Sequence, residues 1–214
     1  MSMFYKSNDD FLKPGFILKG KWNGKEYTIK RLLGFGENGI VYLVESAKKQ
    51  YALKMSKEAI QLSYEIHAIQ RLNQTQGLSL GFSVLDIDDF LDQGHLYAFY
   101  VMPYQTGVTL EHYLYGRGDE EFKSMFIKII KKINDFHQEG FIFGDLKPEH
   151  ILITSKSGQV SFIDFGGVTA IGEGVRQFTE LYDRGSWKSG TRKADPHYDL
   201  FSIAVLFIQF IIHW

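Results

Sequence analysis

The sequence predicts an α+β fold of two lobes, with a β-rich N-terminal lobe that holds one long helix and a mainly helical C-terminal lobe. Residues 27–56 and 81–104 contain short runs of branched and aromatic side chains punctuated by glycine, which is typical of strands. Residues 56–73 and 119–140 carry apolar side chains three and four positions apart, as amphipathic helices do. Because the side-chain pattern changes from mainly strand-like to mainly helical near residue 104, we predict lobes at 1–104 and 105–214.

Composition excludes several classes of function. The 214 residues include 24 basic and 25 acidic side chains, a balance that disfavours nucleic-acid binding. Cysteine is absent, which excludes disulfides and cysteine-ligated metals and fits the reducing cytoplasm, where we expect this protein to reside. The first ten residues lack the apolar core of a secretory signal. The apolar run 201–214 would reach only about 21 Å as a helix, so no membrane span is expected.

A glycine-rich loop is the first motif along the chain. Gly34, Gly36 and Gly39 form a G-x-G-x-x-G pattern, followed two residues later by Val41. Branched and aromatic residues at 40–44 predict that a strand follows, whereas a dinucleotide fingerprint requires a helix there. A glycine hairpin can bring backbone N–H groups close to phosphate oxygens. A plain glycine-rich turn remains the alternative for the loop taken alone.

A lysine and a carboxylate form the second feature. Lys54 ends the strand run Tyr-Ala-Leu-Lys, and Glu65 falls on the apolar stripe of the helix predicted at 56–73. Because a carboxylate on an apolar stripe is costly unless it is paired, we predict an ion pair between Lys54 and Glu65. Glu58 is the competing partner, although an acidic residue in the first helical turn also has a role beside the helix dipole.

The C-terminal half contains further helices and two short strands. The helix from Asp119 should stop at Gly140, and short strands are predicted at 150–154 and 159–164. A glycine-rich polar stretch follows at 166–196, before an apolar helix that begins near His197. Two motifs lie in this half, Asp-Leu-Lys-Pro-Glu from Asp145 and, nineteen residues later, Asp-Phe-Gly from Asp164.

Six motifs now stand in order between Gly34 and about residue 210, the last being Asp-Leu-Phe-Ser from Asp199. In this order and spacing the chain resembles the eukaryotic-like Ser/Thr protein kinase superfamily, as a small, C-terminally shortened, bacterial-type member. The resemblance implies a two-lobed protein-kinase-like fold around one ATP cleft. It also implies transfer of phosphate from ATP to Ser or Thr hydroxyls of a protein substrate or of the chain itself.

The resemblance also implies roles for individual residues. Asp145 would be the catalytic base, Lys147 would neutralise charge at the γ-phosphate, and Asp164 would hold Mg²⁺. Lys54, positioned by Glu65, would grip the α- and β-phosphates beneath the glycine loop. The adenine site, with a hinge near 104–107, would be formed by Val41, Ala52, Met102, Pro103, Gln105 and Leu152.

Two departures from the family lie near the catalytic residues. Phe143-Gly144 stands where the family has His-Arg, so we expect Phe143 to pack on Phe165. Without that Arg, phosphorylation of the loop at Thr169 or Thr179 is not expected to activate the protein. His150 replaces the metal-binding Asn of the family, which leaves three alternatives. One metal suffices, Mn²⁺ is preferred, or catalysis is impaired.

Two further departures concern the C-terminal part. No Ala-Pro-Glu element is visible at 181–188, and the chain ends within the Asp199 helix, which puts peptide specificity in doubt. We expect one face of this helix to be bare and to bind a second copy or a partner through Phe207, Phe210, Ile211 and Trp214. The basic residues Arg184, Lys188, Arg192 and Lys193 are interpreted as a solvated loop, with contact to an acidic partner as the alternative.

Two other functions remain open at this stage. A pseudokinase that binds nucleotide as a scaffold is favoured by His150 and the missing docking elements, but opposed by the retained Lys54, Asp145, Lys147 and Asp164. A small-molecule kinase of the aminoglycoside or choline type is favoured by Gly144-Asp145, but opposed by the complete glycine loop.

Overall fold

The computed structural model describes residues 11–75, 82–154 and 158–212. Backbone contacts group these residues into two units. The first contains 11–66 and 83–104, and the second contains 67–75, Phe82, 105–154 and 158–212. The units thus separate between Tyr104 and Gln105, and 67–75 belongs with the second unit rather than with the N-terminal residues.

The first unit is built on one antiparallel sheet of six strands, in the order β1-β2-β3-β4-β6-β5. The predicted strand regions are confirmed, and the short β1, which lies outside them, is an addition. The strands are β1 Ile17–Lys19, β2 Glu26–Gly36, β3 Gly39–Ser46, β4 Lys49–Ser56, β5 Asp86–Asp92 and β6 His95–Pro103.

One face of this sheet carries the apolar core of the first unit. Its buried side chains alternate along the strands with residues of the other face, as the two-residue period of a strand requires. The core members are Leu18, Tyr27, Ile29, Ile40, Tyr42, Val44, Leu53, Met55, Phe90, Phe99 and Val101.

Helix α1, Ala59–Gln74, follows β4. It begins three residues later than predicted, because Ser56 still pairs in β4 and its Oγ accepts a hydrogen bond from the backbone N of Glu58. The predicted stripe is confirmed, since Leu62, Glu65, Ile69 and Leu72 are all buried.

Among the described residues, the second unit contains the end of α1, three further helices and two small sheets. One sheet has the strand order β10-β9-β7, and the other pairs β11 with β8. Single 3₁₀ turns lie at Pro148–His150 and Glu180–Tyr182. The elements are β7 Val108–Thr109, α2 Leu110–Leu114, α3 Asp119–Gln138, β8 Phe141–Ile142, β9 Ile151–Ile153, β10 Val160–Phe162, β11 Thr169–Ala170 and α4 Pro196–Ile212.

Helices α3 and α4 pack through phenylalanine side chains. Phe122 and Phe126 of α3 lie 5.2 and 5.1 Å from the ring of Phe207, and both lie 6.3 Å from the ring of Phe210. The expectation that Phe210 belongs to a bare face is therefore wrong, since α3 buries it. Phe207 and Ile211 do remain exposed, and Trp214 lies outside the described residues.

The ends of both long helices follow from local chemistry. Gly140, with φ of +82°, ends the α3 segment as predicted. Asp195 caps α4, because its Oδ1 accepts the N–H of His197, and Pro196 occupies the first helical position. Within the described residues, no helix is both long and apolar enough to cross a membrane.

Candidate active site

The predicted nucleotide residues of the first unit share one face of the sheet. Val41 pairs with Lys54 across β3 and β4, and Ala52 pairs with Met102 across β4 and β6. Directly paired residues of antiparallel strands point to the same side. These four side chains therefore lie on the face opposite to the apolar core, whereas Pro103 ends β6 beside them.

The glycine loop is a β-hairpin, as the sequence predicts. Strand β2 ends at Gly36, β3 begins at Gly39, and the two glycines pair across the turn. Gly39 has φ of +136° and a Cβ there would lie 2.5 Å from the carbonyl oxygen of Met55, so the fold itself requires glycine. A Cβ on Gly34 or Gly36 would meet nothing within 4 Å. Neither packing nor a positive φ requires glycine at 34 and 36, which favours a ligand that approaches the bare backbone.

The predicted ion pair is present. Nζ of Lys54 lies 2.7 Å from Oε2 of Glu65, and the two side chains are only 4% and 3% exposed. Glu58, the competing partner, is exposed. The pair lies on the sheet face that carries Val41 and Ala52.

The remaining adenine-site candidates, Gln105 and Leu152, lie in the second unit. Oε1 of Gln105 accepts a hydrogen bond of 2.7 Å from the hydroxyl of Ser161 in β10. Leu152, in the neighbouring strand β9, pairs with the same Ser161. A Cβ on Gly107 would lie 2.8 Å from Cγ of Leu152, so the segment after Gln105 passes close to β9.

Asp145 is buried and lies beside the polar side chains of Thr179 and Lys147. Its Oδ1 accepts a hydrogen bond of 2.8 Å from the hydroxyl of Thr179, and Nζ of Lys147 donates to that same hydroxyl at 3.2 Å. Nζ of Lys147 also lies 3.6 Å from Oδ2 of Asp145. Nothing in the sequence marks Thr179, which lies 34 residues beyond Asp145, as a member of this group.

His150 and Asp164 form the candidate metal site. Nδ1 of His150 lies 2.8 Å from the backbone oxygen of Asp145, and Nε2 lies 3.8 Å from Oδ2 of Asp164. Burial lowers the pKa of His150 below its usual value and favours the neutral ring, although the carboxylates of Asp164 and Asp145 oppose the shift. Asp164 has φ of +65°, a strained conformation of the kind found at functional sites.

The donor set fits a divalent cation bound together with nucleotide phosphates. One carboxylate and one neutral imidazole can each ligate such an ion, and Mg²⁺ usually takes one or two carboxylates plus phosphate oxygens. Among the described residues, no group of three or more potential ligands forms a protein-only metal site.

Asp199 anchors the backbone ahead of Asp145. Its fully buried carboxylate accepts the N–H groups of Phe143 at 2.8 Å and Gly144 at 2.9 Å, and Nε2 of His137 lies 2.9 Å away. Asp199 belongs to the last of the six sequence motifs, but no pattern in the sequence predicts these contacts. The predicted packing of Phe143 on Phe165 is present, with the ring centroids 6.1 Å apart.

The backbone conformation at position 144 leaves no space for the side chain of an Arg before Asp145. It has φ of +82°, and a Cβ there would overlap the carbonyl oxygen of Gly167. Gly144→Ala should therefore lower the free energy of unfolding by about 2–3 kcal/mol, or Tm by roughly 4–12 °C. Gly174→Ala is the matched control, because its Cβ would meet nothing within 4 Å. Equal melting temperatures for the two variants would contradict this prediction.

Thr179→Val should lower kcat about 10- to 100-fold with little change in the KM for ATP. The valine keeps the shape of threonine but removes the hydroxyl that links Asp145 to Lys147. Steady-state kinetics with Thr179→Ser as control measures the effect, because serine retains the hydroxyl. A full rate in the valine variant would show that the link is dispensable.

The hydroxyl groups of Thr169 and Thr179 both donate hydrogen bonds within the protein. Thr169 is buried and donates to the backbone oxygen of Gly167, and Thr179 donates to Asp145. The absence of activation by phosphorylation of these two residues stays a prediction.

Arg184 and Arg192 form ion pairs, and the expectation of a solvated loop is wrong for Arg184, which is buried, whereas Lys188, Arg192 and Lys193 are exposed. Arg184 is only 8% exposed and bonds both carboxylate oxygens of Asp195, at 3.0 and 2.5 Å. Arg192 bonds the fully buried Asp183 at 2.7 Å, and the hydroxyl of Tyr198 donates to the same carboxylate. Burial would raise the pKa of Asp183, but hydrogen bonds from Arg192, Ser186 and Tyr198 outweigh it and hold that pKa well below its usual value.

The sequence profile described as the protein kinase domain matches residues 27–213. The chain belongs to the protein kinase family. This kinase-family chain is 40% identical over 200 residues to serine/threonine-protein kinase YabT of Bacillus subtilis (strain 168), which covers 92% of the chain and 59% of YabT. It is 30% identical over 146 residues to serine/threonine-protein kinase greatwall of Homo sapiens, or 66% of the chain and 16% of that protein.

A solved structure shares the fold. Vaccinia related kinase 3 superposes with a TM-score of 0.70 and 16% sequence identity, over 93% of this chain and 68% of the other. The predicted α+β, protein-kinase-like fold and the resemblance to the eukaryotic-like Ser/Thr kinases are confirmed. The family uses ATP and a divalent metal in general. The chain spans 59% of the length of YabT and less of greatwall.

Proposed function

We propose that this chain is an ATP-dependent protein kinase that phosphorylates Ser or Thr hydroxyls of a protein substrate or of a second copy of itself. The observation that carries the proposal is the hydrogen bond from the Thr179 hydroxyl to Oδ1 of Asp145. It shows a buried carboxylate that accepts a hydrogen bond from an alcohol, which is the task of the base in this reaction. The similarity to YabT and greatwall, which are serine/threonine-protein kinases, supports the same class of substrate.

The proposed steps of phosphate transfer follow from the charged side chains of the site. The oxygen of the substrate hydroxyl attacks the γ-phosphorus while Asp145 takes the hydroxyl proton. The bond from the γ-phosphorus to the β-phosphate oxygen breaks, and ADP leaves. Lys147, whose Nζ is 3.6 Å from Asp145, supplies positive charge where negative charge develops. Lys54 binds the α- and β-phosphates in an orientation that Glu65 maintains, and the bare backbone at Gly34 and Gly36 lies against phosphate oxygens. In the first unit, a purine would pack on Val41, Ala52 and Met102, with the backbone oxygen of Pro103 at its edge.

A divalent cation supplies further neutralisation of the phosphates when it is bound. We propose Mg²⁺ as this cation, with Mn²⁺ able to replace it, held by Asp164 and His150. The donor set of one carboxylate and one neutral imidazole, 3.8 Å apart, supports this assignment. The proposed location is the cytoplasm, in line with a sequence that lacks cysteine.

Transfer of label from γ-labelled ATP, run with Mg²⁺ and with Mn²⁺, tests the proposal. Labelled phosphoserine or phosphothreonine in added protein or in the chain itself is the expected result. ADP or ATP binding without transfer under either metal would replace the proposal with a pseudokinase. Phosphate transfer only to aminoglycosides or choline-like alcohols would replace it with a small-molecule kinase.

Contact with a second copy through α4 also remains a proposal. Its support is the exposure of Phe207, Ile208 and Ile211 on that helix. Phe210 is no longer part of the argument, because α3 covers it. Sedimentation that shows only monomer at high concentration would remove the proposal.

A further inference from the structure

The buried carboxylate of Asp183 receives hydrogen bonds from two parts of the second unit. Several of the donors lie in the same loop as Asp183: the backbone N–H of Gly185, the backbone N–H and hydroxyl of Ser186, and the guanidinium of Arg192. The hydroxyl of Tyr198, which donates to Oδ1 at 2.7 Å, is the one donor among the described residues that lies on helix α4. Tyr198 therefore connects this loop to α4.

The next residue of α4 holds a different loop. The fully buried carboxylate of Asp199 accepts two backbone N–H groups directly ahead of Asp145, at 2.8 and 2.9 Å. Neighbouring residues of an α-helix point about 100° apart, so one turn of a helix can contact two loops at once. The first turn of α4 thus holds both the loop of Asp183 and the backbone that leads into Asp145.

A short turn connects Asp183 to Thr179. In the 3₁₀ turn Glu180–Tyr182, the backbone N–H of Tyr182 donates to the backbone oxygen of Thr179 at 2.9 Å. The hydroxyl of Ser202, one turn further along α4, donates to the backbone oxygen of Tyr182 at 2.8 Å. Helix α4 therefore holds two successive residues at the end of this turn, and the turn in turn holds Thr179.

We propose that Tyr198, together with Ser202, is a positioning residue for phosphate transfer. The two side chains fix the turn that ends at Asp183, and so hold the hydroxyl of Thr179 against the base. The inference rests on the proposed function, in which Asp145 is that base. Small displacements between groups that act together in a reaction cost large factors in rate, so loss of this anchor should lower kcat.

Tyr198→Phe removes one hydroxyl and keeps the buried ring. Its kcat should fall about tenfold with an unchanged KM for ATP, because the hydroxyl contacts Asp183 and not the residues proposed to bind ATP. Tyr27→Phe is the matched control, since Tyr27 is also buried and donates its hydroxyl to a carboxylate, that of Asp86, at 2.5 Å in the first unit. The kcat of this control should equal that of the unaltered protein.

A double-mutant cycle with Thr179→Val distinguishes positioning from a general loss of structure. If Tyr198 acts through the hydroxyl of Thr179, Tyr198→Phe should lower kcat less than about twofold in a chain that already lacks this hydroxyl. A merely structural role would lower kcat by the same factor in both backgrounds. Ser202→Ala removes the hydrogen bond to Tyr182 and provides the same cycle if Tyr198→Phe fails to fold.

Hydrogen exchange tests the anchor without any phosphate transfer. The amide of Tyr182 should exchange about tenfold faster in Tyr198→Phe than in the unaltered protein, and at an unchanged rate in Tyr27→Phe. Faster exchange in a protein that transfers no phosphate would support the anchor and overturn the proposed function. Transfer with an unchanged kcat in Tyr198→Phe, an equal loss in both backgrounds, or unchanged exchange would overturn the role of Tyr198 and leave the proposed function standing.

Discussion

Asp145→Asn should lower the rate of γ-phosphate transfer by about 10²- to 10⁴-fold, the usual contribution of a general base. Asparagine matches aspartate in shape and can still accept the Thr179 hydroxyl through its oxygen, but it cannot take a proton from a substrate. ADP affinity and fold should be preserved, because the substitution keeps the shape of the side chain and its hydrogen bond with Thr179. Transfer of label from γ-labelled ATP measures the rate.

Asp135→Asn is the matched control, since it makes the same chemical change at an exposed carboxylate on α3. Its rate should equal that of the unaltered protein. A shift in Tm of less than about 4 °C in Asp145→Asn, which corresponds to roughly 1 kcal/mol for a chain of this size, would show that the fold is intact. An Asp145→Asn protein that retains the full rate would remove Asp145 from the role of base.

Lys54→Met or Glu65→Leu alone should destabilise the protein by about 3–5 kcal/mol, because each leaves one charge buried without its partner. The Nζ to Oε2 distance of 2.7 Å and the near-complete burial of both side chains make this the most enclosed Lys–Glu pair among the described residues. Thermal or urea denaturation measures the loss. Lys54→Met should also abolish transfer and weaken ADP binding.

The double variant Lys54→Met/Glu65→Leu separates stability from function. It should recover most of the lost stability, since apolar side chains of similar size can replace a buried ion pair, and it should remain inactive. Lys30→Met is the control, because Lys30 forms a half-exposed pair of 3.1 Å with Glu45 and should lose less than about 1 kcal/mol. A double variant as unstable as the single ones would show that burial of charge is not the cause.

Much of the fold and part of the site could be predicted because their signals are local. Periodicity indicated the buried stripe of α1, and the cost of a carboxylate on that stripe led to Glu65 as the partner of Lys54. The hairpin at Gly34–Gly39 followed from the type of residue after it. These inferences need only the spacing of side chains within one or two neighbouring elements.

Other contacts join residues far apart in sequence and have no such signal. The hydroxyl of Thr179 reaches Asp145 across 34 positions, and Asp199 reaches the backbone of Phe143 across 56. The burial of Phe210 depends on how α3 and α4 pack, which periodicity within α4 does not specify. The burial of Arg184, which was expected in a solvated loop, likewise depends on its ion pair with Asp195, which no local pattern indicates.

The ion pairs of residues 183–195 join residues that are close together in the sequence. Arg184 and Asp195 are eleven positions apart, and Asp183 and Arg192 are nine apart. Their closure therefore costs little chain entropy and needs no added phosphate. We expect the two ion pairs to hold residues 183–195 in this conformation whether or not the segment is phosphorylated.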